Sequence, residues 1–133
     1  METIFKPYKS YAGIAFGASR NELRSLLGKY QEFKKSPFSK NTTDDFGDFH
    51  VYYSEDNLVE AIEVFGGKVT YNGEAIFPAT VSAFLKLMET IDSEAVQQDY
   101  EISSKVLGCC VSISDDAVDG IILCSTDYFE RLI

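Results

Sequence analysis

The sequence predicts an α+β domain: a single antiparallel sheet from two helix-plus-β-hairpin repeats, with both helices on one face. Three observations predict it. Two segments carry apolar residues at helical spacing, and several stretches alternate with period two between turn formers. The resulting helix-then-hairpin order is written twice, about 60 residues apart, and such units bury their apolar sides by pairing sheet to sheet and packing helices on top.

The first helix is expected over residues 20–28. Ser19-Arg20-Asn21-Glu22 is a capping box, in which the Ser19 hydroxyl takes the Glu22 amide and the Glu22 side chain reaches back. Leu23, Leu26, Leu27 and Tyr30 then recur at helical spacing, and Gly28 offers a left-handed stop. Before it, residues 11–16 read as a short strand or extended lead-in. Residues 34–48 hold turn formers and charges without an apolar period, which predicts an exposed loop.

Phe49, Val51 and Tyr53 alternate with His50 and Tyr52 up to Ser54-Glu55-Asp56-Asn57, and a second run from Leu58 to Phe65 returns as a hairpin. Lys68 to Tyr71 and Glu74 to Phe77 flank Asn72-Gly73, a pair suited to the left-handed positions of a two-residue turn. Val81, Phe84, Leu85, Met88 and Ile91 lie on one stripe of a second helix ending near Asp92-Ser93-Glu94, with a further turn over 93–99 as an option. Ile102 to Ile113 reads as one strand, Ser114-Asp115-Asp116 as a turn and Val118 to Cys124 as the returning strand. The tail 127–133 fits a helical turn or a short strand equally well.

The repeat is visible in register. Residues 51–56 match 111–116 at an offset of 60, and 59–64 match 118–123 at an offset of 59 once Asn57 is skipped. The chain is therefore read as a single domain, 1–133, with repeats 11–77 and 78–133. Its 133 residues, 45% hydrophobic and 14% aromatic, suffice for a core and exclude a disordered chain. No apolar run approaches the roughly 20 residues of a membrane span.

Charge is polarised along the chain. Residues 1–40 hold eight Lys/Arg against three Asp/Glu (+5), and residues 41–133 hold four against 18 (−14), for the net −9. With a pI near 4.5, nucleic acid and anionic membranes are poor partners, whereas a basic protein is a good one; simple solubility is the plainer reading of the same charge. The N-terminal residues lack the apolar region of a secretory signal, and the three cysteines are odd in number with Cys109 and Cys110 adjacent. Both point to the cytoplasm rather than to a secreted disulfide framework.

Residues 17–28, a glycine followed by a capped short helix and Leu-Gly, resemble the opening of small tandem α/β modules: the β-lactamase-inhibitor-protein-like fold and its outer-membrane lipoprotein relatives. Residues 59–64 through Tyr71-Asn72-Gly73 to Phe77 are similar to a pattern common in immunity proteins of bacterial polymorphic-toxin and contact-dependent growth inhibition systems. The two segments cover about a quarter of the chain and consist mostly of turn and packing signals. The resemblance implies a small acidic cytoplasmic protein that binds one cognate toxin and blocks it, the exposed sheet face doing the binding. The secreted inhibitors carry a signal peptide and paired cysteines, so only their architecture carries over.

Catalytic and metal-binding constellations are scarce. His50 is the single histidine, and no Cys-x-x-Cys, His-Glu-x-x-His or EF-hand spacing occurs. Gly66-Gly67-Lys68 is no phosphate loop, and Asp115, Asp116 and Asp119 lack further ligands in register. The expectation is a non-enzyme without cofactor or metal.

What remains is a surface. Strand parity assigns Phe49, Val51, Tyr53, Ile62, Val64, Val111, Ile113, Ile121 and Leu123 to the helix-facing core. The opposite set is His50, Tyr52, Ala61, Glu63, Phe65, Cys110, Ser112 and Ile122, a mixture typical of protein-binding faces. Asp44, Asp45, Asp48, Glu55, Asp56 and Glu60 lie at the ends of the hairpin as an acidic rim. The expected partner-binding residues are thus Asp44, Asp45, Asp48, His50, Tyr52, Glu55, Asp56, Glu60, Glu63 and Phe65, set against a basic, nuclease-like toxin domain. The alternative is an adaptor that takes a small molecule or peptide on the open sheet face. An open sheet edge with hydrophobic neighbours also makes a homodimer accessible.

Overall fold

The computed structural model describes residues 2–133. Three two-residue strands come first, β1 (Phe5–Lys6), β2 (Ser10–Tyr11) and β3 (Ile14–Ala15). Then follow α1 (Arg20–Leu27), β4 (Gln31–Phe33), β5 (Thr43–Asp45), β6 (Phe49–Tyr53) and β7 (Val59–Val64). The hairpin β8 (Val69–Tyr71) and β9 (Glu74–Phe77) precedes α2 (Val81–Ile91), β10 (Val96–Gln98), β11 (Glu101–Ser104), β12 (Cys109–Ser114), β13 (Ala117–Cys124) and α3 (Thr126–Leu132).

The α+β class holds, but the single sheet of two helix-plus-hairpin repeats does not. The described residues form three sheets: β1-β2-β3, β8-β9, and an eight-stranded antiparallel sheet in the order β10-β11-β12-β13-β7-β6-β5-β4. Four strands, not a hairpin, make up each half of the sheet, β10–β13 on one side of the seam between β13 and β7 and β4–β7 on the other, each set preceded by one helix. Both central hairpins carry a register shift, between Tyr52 and Tyr53 and between Ser112 and Ile113, at positions 60 residues apart. In the first, Tyr52 pairs with Ala61 and Tyr53 with Val59, so Glu60 is the bulged residue.

Three local corrections account for the extra strands. Residues 34–48 are not one loop, because Thr43, Asp44 and Asp45 pair with both β4 and β6. The stretch 102–113 is two strands around a turn at Lys105–Gly108. Gly108 has φ +64°, and a Cβ there would meet the Tyr8 ring at 2.5 Å. Residues 93–99 contain β10 rather than a further helical turn, since Asp92 ends α2 in extended geometry.

Both predicted helices carry a side-chain N-cap, the one at α1 expected from its capping box and the one at α2 not. The Glu22 N–H donates to Ser19 Oγ at 3.2 Å, and the Ala83 N–H to Thr80 Oγ1 at 3.1 Å. Leu23 of α1 and Phe84 and Met88 of α2 enter one core with all nine residues assigned to the inner face. The tail is a third helix, α3, capped by Ser125. It lies on the other side of the sheet: its Tyr128 ring is 6.2 Å from that of Tyr52, which pairs across the outer row with Ala61. The small sheets close one end of the core through Phe5, Tyr11, Ile14, Val69, Ile76 and Phe77. No helix among the described residues is long and apolar enough to cross a membrane.

Candidate functional site

The outer face of the large sheet carries a cross-strand row through all eight strands: Gln31, Asp45, His50, Glu63, Ile122, Cys110, Ser103 and Val96. On the β4–β7 side this row becomes an aromatic patch. The His50 ring stands edge-on between Phe33, at 5.0 Å between centroids, and Phe65, at 4.6 Å. His50 Nε2 is 3.5 Å from Asp45 Oδ1, which also accepts the Gly47 N–H at 2.8 Å. Phe65 is 41% exposed and rests on Gly120, where a Cβ would touch its ring and the Val64 carbonyl at 3.4 Å. The Asp48 carbonyl accepts the N–H groups of Phe65 and Gly66, each at 3.0 Å, which fixes the Asp48 backbone beside the patch, while its side chain lies against Gly66 and Gly67.

Next along the face, Tyr52 is buried and its hydroxyl donates to Glu63. Burial, and then the Glu63 carboxylate that accepts its proton, push this phenol far above its ordinary value. Lys35 Nζ lies 4.3 Å over the Tyr52 ring. The thiol of Cys110 donates to Glu101 Oε2 at 2.9 Å, and burial followed by that contact raises it to about 12; burial also raises Cys124 to about 12 and Cys109 well above its usual value. All three thiols are therefore protonated near neutral pH and packed as small apolar groups. Among the described residues no three His, Cys, Asp or Glu side chains converge to hold a metal ion.

Of the ten expected binding residues, Asp45, His50, Glu63 and Phe65 come together in the patch, with Tyr52 beneath it; Asp48 joins it only through its backbone carbonyl, its side chain lying at Gly66 and Gly67. Glu55 and Asp56 are exposed in the β6–β7 turn, where Lys40 Nζ approaches Glu55 at 3.4 Å, and Glu60 is bound by Arg131 of α3. These three form a separate acidic group at the opposite end of the hairpin.

Asp44 is the correction. It is fully buried, and its inward side chain is the centre of an ion cluster rather than part of a rim. Arg20 donates to it at 2.9 and 3.4 Å, Arg24 at 2.7 and 2.8 Å, and the Tyr53 hydroxyl at 2.8 Å. Arg20 also donates to Asn41, Asn57 and Thr42, Arg24 to Glu32, and the two guanidiniums cover the Tyr53 and Tyr30 rings at 4.3 and 4.1 Å. Burial alone would raise the Asp44 carboxyl, but the bonds from Arg24, Arg20 and Tyr53 hold it down at about 2. A carboxylate bound on this many sides has nothing left to offer a partner.

Sequence reasoning missed Phe33, Lys35 and Tyr128. Phe33 ends a three-residue strand too short for a period, Lys35 sits in a loop, and Tyr128 belongs to a helix only seven residues long. A second concavity opens on the same outer face, beyond α3. It is a groove of about 720 Å³ between α3 and β10–β12, floored by Cys110 and Phe129. Comparison with protein-family models, with curated proteins and with solved structures finds no match to this chain.

Proposed function

We propose that this chain is a cytoplasmic, non-catalytic immunity protein that binds a basic, nuclease-like toxin domain on the outer face of its large sheet. The observation that carries the reading is the Phe33–His50–Phe65 stack, a half-exposed aromatic centre bordered by Asp45 and Glu63 on the sheet, with Asp48 at the end of the same hairpin. Aromatic anchors in a well-packed centre dominate binding energy, and a rim of one charge speeds association with a partner of the other and sets its register. The acidic residues from position 41 onward supply a matching long-range field.

The test is a tagged capture from the native host at low salt, eluted in rising salt, followed by affinity measurements and a toxicity assay with the captured protein. The reading expects a stoichiometric basic protein whose activity the chain blocks. Phe65→Ala should weaken binding about 30-fold, the scale of a single hot spot. Asp45→Lys/Asp48→Lys should slow association at low salt while leaving the folded state intact. Full affinity in both variants, or a captured protein that the chain leaves active, overturns it.

A further inference from the structure

We infer that the outer face carries a second, self-complementary surface on which two copies of this chain dock by reciprocal insertion: the Phe38 loop of each enters the groove beside α3 of the other. It uses none of Asp45, Asp48, His50 or Phe65, so it stands independently of the toxin-binding reading.

The insert is Phe38, 92% exposed at the tip of the β4–β5 connection. It is held out by a built turn and not by a floppy strand of chain. The Ser36 N–H donates to Ser39 Oγ at 3.1 Å, the Phe38 N–H to Ser36 Oγ at 3.2 Å, and the Ser39 N–H to the Ser36 carbonyl at 3.1 Å. A pre-ordered loop loses little entropy on docking. A single exposed apolar residue needs no explanation in itself, but this one has a counterpart. The groove has Cys110 and Phe129 as its floor, and Val96, Val106 and Leu132, each between 39 and 51% exposed, as its walls.

Charge selects the occupant. Residues 34–40 carry three lysines and no acid, whereas residues 92–101, along one wall of the groove, carry four carboxylates and no base. Asp92, Glu94 and Glu101 line the groove itself against one base, Lys105. Asp92 is taken up by the Glu94 and Val106 N–H groups and the Ser104 hydroxyl, which leaves Glu94 and Glu101 to face an occupant. An apolar side chain flanked by lysines therefore meets an apolar groove flanked by carboxylates, and this chain already displays both. Placement allows closure: α3 turns Tyr128 and Arg131 toward Lys35 and Lys40, and Phe129 and Leu132 toward the groove. The two features thus share one face, on either side of one helix. A two-fold axis in the plane between the two faces, running along and above α3, sets each loop against the partner's groove and leaves no unmatched copy, as a closed isologous dimer requires.

The experiment is the solution mass of the full chain by sedimentation over rising concentration, at low and high salt, with far-UV circular dichroism to verify folding. The 14.9 kDa chain is expected to double in mass, with dissociation favoured by salt. Phe38→Asp, at a fully exposed position, should raise the dimer dissociation constant at least about 30-fold. The decisive pair is Lys34→Glu/Lys40→Glu and Glu94→Lys/Glu101→Lys. Each should be monomeric alone, since its loop and groove then carry like charge. Mixed one to one they should form a heterodimer, because both loop–groove contacts again join opposite charges. A monomer at all concentrations, a dimer indifferent to Phe38→Asp, or open-ended growth of mass overturns the inference. So does a monomer that binds phosphatidylglycerol vesicles through Phe38, which would make the loop a lipid-surface contact.

Discussion

The two faces of the large sheet treat the same residue type in opposite ways, and β5 shows it in adjacent positions. Asp44 turns inward to Arg20, Arg24 and Tyr53 and disappears from the surface; Asp45 turns outward to His50 and the aromatic patch. The inner face thus contains one saturated ion cluster at the margin of an apolar core, while the outer face keeps its charges beside half-exposed rings. Strand parity, more than local charge density, decides whether an aspartate holds the fold or faces outward.

The largest break in that comparison is expected at Asp44. Asp44→Ala leaves two guanidiniums and a phenol without their shared acceptor and should cost about 3–5 kcal/mol in urea unfolding, the scale for breaking a buried pair. Asp45→Ala should stay within about 0.5 kcal/mol. Equal losses would erase the distinction between the faces. An effect of similar size but different origin is expected from Phe84→Ala in the inner core, about 3–5 kcal/mol, against about 1 kcal/mol or less for Phe65→Ala on the outer face.

Acid titration sharpens the comparison at a smaller scale. The Asp44 carboxyl is depressed from 3.8 to about 2, so its stabilisation is fully present above about pH 4 and is lost as pH falls toward 2. The difference amounts to about 2 kcal/mol. Stability measured from pH 5 to pH 2 should show this loss in the native chain and a correspondingly shallower slope in Asp44→Asn. The smallest effect is expected at the helix caps: Thr80→Ala for inner α2 and Ser125→Ala for outer α3 should each cost about 1 kcal/mol. The Ser125 variant alone should also loosen the groove beside α3, measurable as faster amide exchange over residues 126–132.

How much was legible follows from how strong each local signal was. α1 announced itself through its capping box and apolar residues, α2 through its apolar stripe, and the two central hairpins through alternation, so the inner core set of nine was assigned without error. The outer strands β4, β5, β10 and β11 are three or four residues long and largely polar, too short for any period to emerge. Asp44 was misplaced for a related reason: a charged residue at an inward position cancels the alternation that would have revealed the strand. The available signal lay elsewhere, in Arg20 and Arg24, spaced i and i+4 on the side of α1 that also holds Leu23 and Leu27. Two arginines beside a buried stripe require an acid in the fold to neutralise them. The aromatic patch was half legible, because His50, Glu63 and Phe65 follow from parity within one hairpin, whereas Phe33 reaches them only through tertiary pairing.

The β7–β13 pair has a consequence for how the chain acquires its shape. Every other pairing in the large sheet joins strands consecutive in sequence, so each half is a meander of short-range contacts. The central seam alone joins residues 57 to 63 positions apart, from Val64 with Ile121 to Ala61 with Cys124. Low-separation contacts form early because little chain must be closed to make them, and the long closure comes afterwards at only a modest further entropy cost. On a ribosome the first meander is complete in sequence long before β13 exists, and it must wait with the β7 edge open. Folding speed, and the interval in which that edge can capture another strand, are therefore governed by the arrival of residues 121–124.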